Sequence, residues 1–300
     1  MIGVELFKLF RRPRTWITAG LICALPLIVA IFVATTHLVP PPGQGSAFLS
    51  AVLQDGQLYP AAALALVLPV FLPVAVAIVA GDSIAGEATG GTLRYLLARP
   101  VGRTRLLVAK LIAVIAFVLF AIVAVTLTSY ATGVLILGPS RAAAVGESPG
   151  SGISGSIAPG AGGAPTAGLS AGGAVTSLSG APLTVLQLAE RVIGTVAFIT
   201  VSMLGVAAIA LFLSTVTDSA IGAAMGALAT LVGSEVLVTL NAAAVVQPYL
   251  PTRYWLAWID FFRQPILWRD IDRGFGIQAV YVVVFLGAAW ANFATKDITA

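Results

Sequence analysis

A chain of 300 residues in which 59% are hydrophobic and only 9% charged cannot keep its surface in water, since roughly a quarter of a soluble domain is charged. The formal net charge of +4 is small, and the basic residues cluster beside apolar runs, which excludes a nucleic-acid binder and reads as orientation signal. The single cysteine, Cys23, excludes an intramolecular disulfide, so compartment is read from topology alone.

Met1 to Arg14 is a short basic segment in which Ile2, Leu6, Leu9 and Phe10 share one helical face. It predicts an amphipathic helix lying in the membrane surface over residues 1–15 and ended near Pro13. A bilayer core of about 30 Å takes roughly 20 apolar residues per helix. Runs of that length predict six spans: Trp16 to Leu38, Tyr59 to Ala80, Leu106 to Leu137, Val192 to Leu213, Ala220 to Val246 and Gly274 to Phe293. Pro69 and Pro73 predict a kink in the second. The first is too long for a signal peptide and lacks a clear small-residue cleavage site, so it is expected to be retained. Gly138 to Pro182 is dense in Gly, Ser, Ala and Pro and has little apolar surface to bury, which predicts a flexible loop. The fold class is all-α: one polytopic transmembrane domain over residues 1–300.

With the N-terminus inside, ten basic residues fall on the cytoplasmic side or its boundary: Lys8, Arg11, Arg12, Arg14, Arg94, Arg99, Arg103, Arg105, Lys110 and Lys296. Five fall outside, Arg141, Arg253, Arg263, Arg269 and Arg273, with Arg191 near a span end. The asymmetry places both termini in the cytoplasm. The outer stretch 247–273 runs against it with four arginines. It is also rich in aromatics, and Trp255, Trp258 and Phe262 share a helical face. That pattern predicts an interfacial or re-entrant helix at the outer headgroup level. An Ala-, Val- and Gly-rich composition points to a bacterial source, hence the bacterial cytoplasmic membrane.

The only lysines are Lys8, Lys110 and Lys296, and none follows a glycine, so a phosphate-cradling G-x-x-x-x-G-K loop is absent. One histidine, His37, and one cysteine exclude a conventional His/Cys metal cluster, and no serine has a hydrolase partner set. No cofactor or metal bound by this chain is expected, nor a catalytic residue of its own.

The most informative segment joins the second and third spans and reads GDSIAGEATGGTLRYLLARPVGRTRLLVAK from Gly81 to Lys110. Thr92 to Ala98 predicts a short helix stopped by Pro100, with Leu93, Leu96 and Leu97 as an apolar face beside Arg94. Such a helix suits docking into a groove on a cytoplasmic partner, and equally a basic surface loop serving topology only.

The order E-x-x-x-G-T-L-x-x-L-L-x-x-P-V-x-R, then A-K, resembles the signature of type-2 ABC transporter permeases. Here it is Glu87, Gly91, Thr92, Leu93, Leu96, Leu97, Pro100, Val101, Arg103, Ala109 and Lys110. Leu250-Pro251-Thr252 before the last span and Lys296-Asp297-Ile298-Thr299 after it agree. The 45-residue Gly/Ser/Ala/Pro-rich loop and the doubled Gly90-Gly91 depart from the pattern. The resemblance implies the membrane subunit of an ATP-driven exporter, paired with a second permease copy or paralogue and docked on an ABC ATPase subunit that binds ATP and Mg. It further implies that residues 81–105 form a cytoplasmic coupling loop, with Glu87, Thr92, Leu93, Arg94, Leu97 and Arg103 forming or supporting the coupling element. Cargo such as a drug, lipid, peptide or ion would pass between spans.

Glu235 in the fifth span is expensive to hold in lipid, at least about 2.5 kcal/mol if charged and central. It reads as a candidate cargo contact or proton site, or as a hydrogen-bonded structural residue. Gly222 and Gly226, with Ala223 and Ala227, give the small-x-x-x-small spacing of close helix packing, and the resemblance implies a dimer seam nearby. Two other classes stay open: a proton-coupled secondary transporter using Glu235, and a non-transporting membrane anchor or assembly factor.

Overall fold

The computed structural model describes residues 2–36, 59–89, 103–137 and 183–295. These are helical, with no strand among them. His37, the segment 90–102 and the loop 138–182 lie outside the described residues, as does 296–299.

Helix α1 (Ile2–Arg11) is followed at once by α2 (Pro13–Thr36). Pro13 opens α2, where its missing N–H is one the helix leaves unpaired anyway. The joint is capped from the far side. Thr15 Oγ1 donates to the Leu9 carbonyl at 2.6 Å and Trp16 Nε1 to that of Phe10 at 2.7 Å, satisfying acceptors that the end of α1 leaves free.

The second expected span is two helices, α3 (Tyr59–Val67) and α4 (Phe71–Asp82), bent by 55° at the break. The two prolines account for it. Pro69 sits in the break, and Pro73 in the first turn of α4, where no intrahelical N–H is required. The buried Tyr59 hydroxyl donates to the Pro26 carbonyl, fixing the start of α3 to the middle of α2. A short α5 (Ala85–Thr89) follows, then α6 (Arg103–Thr132), which widens into a π turn at Gly133–Leu137. The remaining long helices are α7 (Val185–Val216), α8 (Ala220–Thr239) and α9 (Trp268–Thr295). Five helices among the described residues are long and apolar enough to cross a membrane, or six if α3 and α4 make one bent span.

Helix α7 is the axis of the bundle. Residues Val206 to Leu211 are all buried, as a helix apolar around its whole circumference requires; α9, α4, α8 and α6 pack around it. Small residues set the closest approaches. A Cβ on Gly81 of α4 would stand 2.9 Å from the backbone nitrogen of Ala224 in α8, and one on Gly274 of α9 2.7 Å from the Phe198 ring of α7. Close packing of α8 within the chain is thus made at Ala224 and, among the expected small residues, at Gly226, Ala223 and Ala227. Gly222 is exposed and meets only its own cap residue Ser219, and Gly226 faces the Leu213 side chain.

Two expectations for the stretch after α8 change. The helix stops at Thr239 rather than running to Val246, because Gln247 Nε2 donates to the carbonyls of Val238 and Leu240, at 2.9 and 3.1 Å. The aromatic stretch beyond is no lipid-facing α-helix. It winds through 3-10 turns at Asn241–Ala243, Gln247–Tyr249 and Ala257–Phe262. Trp255 and Trp258 are buried, the latter completely, in the core shared with α7 and α9. Burying two indoles against the bundle removes more apolar surface than a headgroup position would, so these rings close one end of it.

Candidate functional site

At the opposite end of the bundle, α1, α4, α5 and α6 meet in a cluster of charges. Helix α1 turns Glu5 and Lys8 inward. Glu5 is buried and Lys8 half-buried, whereas Ile2, Val4 and Phe7 are exposed. Leu9 is buried on the same side and Arg11 stays exposed, so the inward face around Glu5 is mixed. Edge-on ring contacts with Phe120, of Phe10 at 5.3 Å and of Trp16 at 5.6 Å between centroids, hold α1 and the start of α2 to α6.

Helix α5 is placed by one hydroxyl. Ser214 Oγ, near the end of α7, accepts from the backbone N–H groups of Ile84 and Ala85, at 3.2 and 2.8 Å, and donates to the Gly81 carbonyl at 2.7 Å. Thr89 Oγ1 adds a bond of 2.8 Å to the Asp218 carbonyl. So fixed, α5 points Glu87 at α6, where Lys110 Nζ lies 3.0 Å from Glu87 Oε1 and 3.5 Å from Glu5 Oε2. Lys8 Nζ closes the ring, 3.3 Å from Glu87 Oε1 and 3.4 Å from Glu5 Oε1. Two carboxylates thus alternate with two ammonium groups drawn from three helices.

Burial decides the weight of each contact. Lys110 is 2% and Glu87 4% exposed; removing one partner of such a buried pair strands the other and costs about 3–5 kcal/mol. The Lys8 contacts, with the side chain 38% exposed, are screened and worth far less. Beside the ring Asp82 accepts from Arg12 Nη1 at 2.8 Å and Arg14 Nη1 at 3.3 Å. Gly86 leaves room for this; a Cβ there would stand 2.2 Å from Asp82 Oδ1.

All of the ring lies in one stretch of sequence that a family model matches: residues 1–145 match the model described as ABC-2 family transporter protein. Helices α1 to α6 fall within the match and α7 to α9 beyond it. No curated protein matches the chain. The ABC-2 match and the long apolar helices together support a multi-pass membrane protein with a role in membrane transport.

Of the permease-signature residues, Glu87 and Lys110 are brought together, with Ala109 buried beside the latter. Thr92, Leu93, Arg94 and Leu97 lie outside the described residues, and Arg103 opens α6 with its side chain likewise undescribed. Sequence reasoning missed Glu5 and Ser214. The signal for Glu5 was a lone carboxylate in a basic amphipathic segment; a serine in an apolar run gave none.

Glu235 is not part of the ring. It lies in the last turns of α8, not midway as the longer expected span implied, about 22 Å along the helix from Ala220 at the ring end. Next to it in sequence, Ser234 Oγ is 2.8 Å from Thr252 Oγ1. Among the described residues no group of His, Cys, Asp and Glu is arranged to hold a metal ion.

Proposed function

We propose that this chain is the membrane-spanning permease subunit of an ATP-binding cassette exporter, with ATP and Mg bound by a partner ATPase and cargo moved by alternating access. In this reading the segment 81–105 is the coupling loop, the termini are cytoplasmic, and a second permease copy or paralogue completes the pore in a bacterial cytoplasmic membrane. The chain is then a transport subunit and not itself an enzyme.

The observation that carries the reading is the anchorage of Glu87. It stands three residues before the undescribed segment that holds Thr92 to Leu97, and is tied through Lys110 to α6, through Lys8 to α1 and through the backbone of α5 to Ser214 of α7. A push on that segment therefore reaches α6 and α7 through buried bonds and α1 through a half-exposed one, which a loop serving topology alone would not need. Arg94 and Arg103 supply positive charge on the same side, and Leu93 and Leu97 the apolar face for a partner groove.

The test is Leu97→Asp in proteoliposomes with ATP on the side facing the loop. Burying an unpaired charge in a partner groove is costly, so ATPase co-purification and ATP-driven transport should fall together while insertion is unchanged. Wild-type values of both would remove the loop from the coupling role.

A further inference from the structure

The buried polar groups at the capped end include one cation without a counter-charge. Arg191, in the second turn of α7, is 6% exposed. Its Nη2 donates to Gln264 Oε1 at 2.9 Å, whereas Nη1 is buried and meets no acceptor among the described residues. None of the ion pairs within 4.0 Å among the described residues includes Arg191, and the adjacent Glu190 is exposed. One turn further along the same face, Thr195 is 3% exposed and its hydroxyl is also without a partner. Between them Gly194 is covered by the Phe261 ring, where a Cβ would stand 3.1 Å away.

An arginine keeps its charge at any ordinary pH, so burial cannot be relieved by deprotonation. Gln264 offers only a neutral amide oxygen to one of the two terminal nitrogens. We propose that Arg191 and Thr195 form a binding point for a phosphate-type oxyanion, with Nη1 donating to one oxygen and the Thr195 hydroxyl to another. Charge-assisted bonds from a guanidinium to phosphate are among the strongest available to a side chain. The group that supplies such an oxyanion is a lipid phosphodiester or free phosphate. The inference stands apart from the transport reading, since it concerns neither the ring nor the coupling segment.

The experiment uses the full chain in maltoside detergent, which carries no anion, and follows Tm on titration with phosphatidylglycerol, inorganic phosphate, diacylglycerol, or chloride at matched ionic strength. An oxyanion held by the folded state should raise Tm by about 2–4 °C with saturation, while diacylglycerol and chloride should not. A response to phosphatidylglycerol alone assigns the site to lipid; a response to inorganic phosphate assigns it to the free anion. Arg191→Gln should abolish the rise, and Thr195→Val, which leaves the charge in place, should weaken it. Should Arg191→Gln fail to fold, Thr195→Val still decides, because a full wild-type response there removes the two-point site. No rise in the wild-type chain with either phosphate source, or an equal rise in Arg191→Gln, overturns the proposal.

Discussion

Lys110 and Glu87 stand 3.0 Å apart with both side chains almost wholly buried, so each is the other's nearest buried counter-charge. Lys110→Met alone should destabilise the protein by about 3–5 kcal/mol, because Glu5 and Glu87 would then share the half-exposed Lys8. The double variant Lys110→Met with Glu87→Leu removes one charge of each sign and should recover most of that loss. Thermal unfolding of the three proteins in one detergent checks this; a double variant no better than the single shows that the pair is not the source of the cost.

Ser214→Ala should cost about 1–3 kcal/mol, as the Ile84 and Ala85 N–H groups lose a buried acceptor. The effect should be local. Hydrogen exchange over residues 81–89 should quicken while α9, to which the hydroxyl makes no bond, keeps its protection. Equal loosening of both would mean that Ser214 supports the bundle as a whole.

Gly81→Ala should destabilise by about 1–3 kcal/mol, since the new Cβ meets helix backbone, which cannot swing aside as a side chain can. Gly222→Ala should change monomer stability little and so serves as its control. If Gly222→Ala instead lowers the population of a cross-linkable dimer, the exposed face of α8 is the seam.

At Glu235 the position near the end of α8, away from the ring of charges, predicts a structural role. Glu235→Gln keeps a hydrogen-bonding group of the same shape and should unfold and transport as the wild type does. Thr252→Val, which strands the buried Ser234 hydroxyl, should cost about 1–3 kcal/mol. Transport lost in a stably folded Glu235→Gln would restore Glu235 as a charge-dependent residue.

The orientation inferred from charge predicts that the capped end faces outward. In a Cys23→Ser background an impermeant thiol reagent should label Ala244→Cys in intact cells and Arg11→Cys only after lysis; both positions are exposed. The reverse pattern would invert the topology.

Much of this architecture is legible in one dimension. Lipid makes each span a run of apolar residues, so their existence and the break at Pro69 and Pro73 could be read directly. The helix end at Thr239 could not, because the residue that stops it, Gln247, acts through its side chain from eight positions beyond. The aromatic stretch misled for a related reason. Trp255 and Trp258 carry the same signature whether they meet headgroups or a neighbouring helix, and only the fold shows the bundle beneath them. In the ring, motif order marked Glu87 and Lys110, while Glu5 is 105 residues from Lys110 and enters only because α1 turns it inward.

The hydroxyl that organises α5 also sets an order of events during synthesis. Ser214 follows Ala85 by 129 residues, so at about 5–20 residues per second the ribosome delivers it roughly 6 to 26 s later. Through that interval Ile84 and Ala85 lack their acceptor and Glu87 its fixed approach to Lys110. The end of α5 at Thr89 therefore takes its place only after α7 has joined the bundle, and the pairing of Glu87 with Lys110 waits on a helix made long after both.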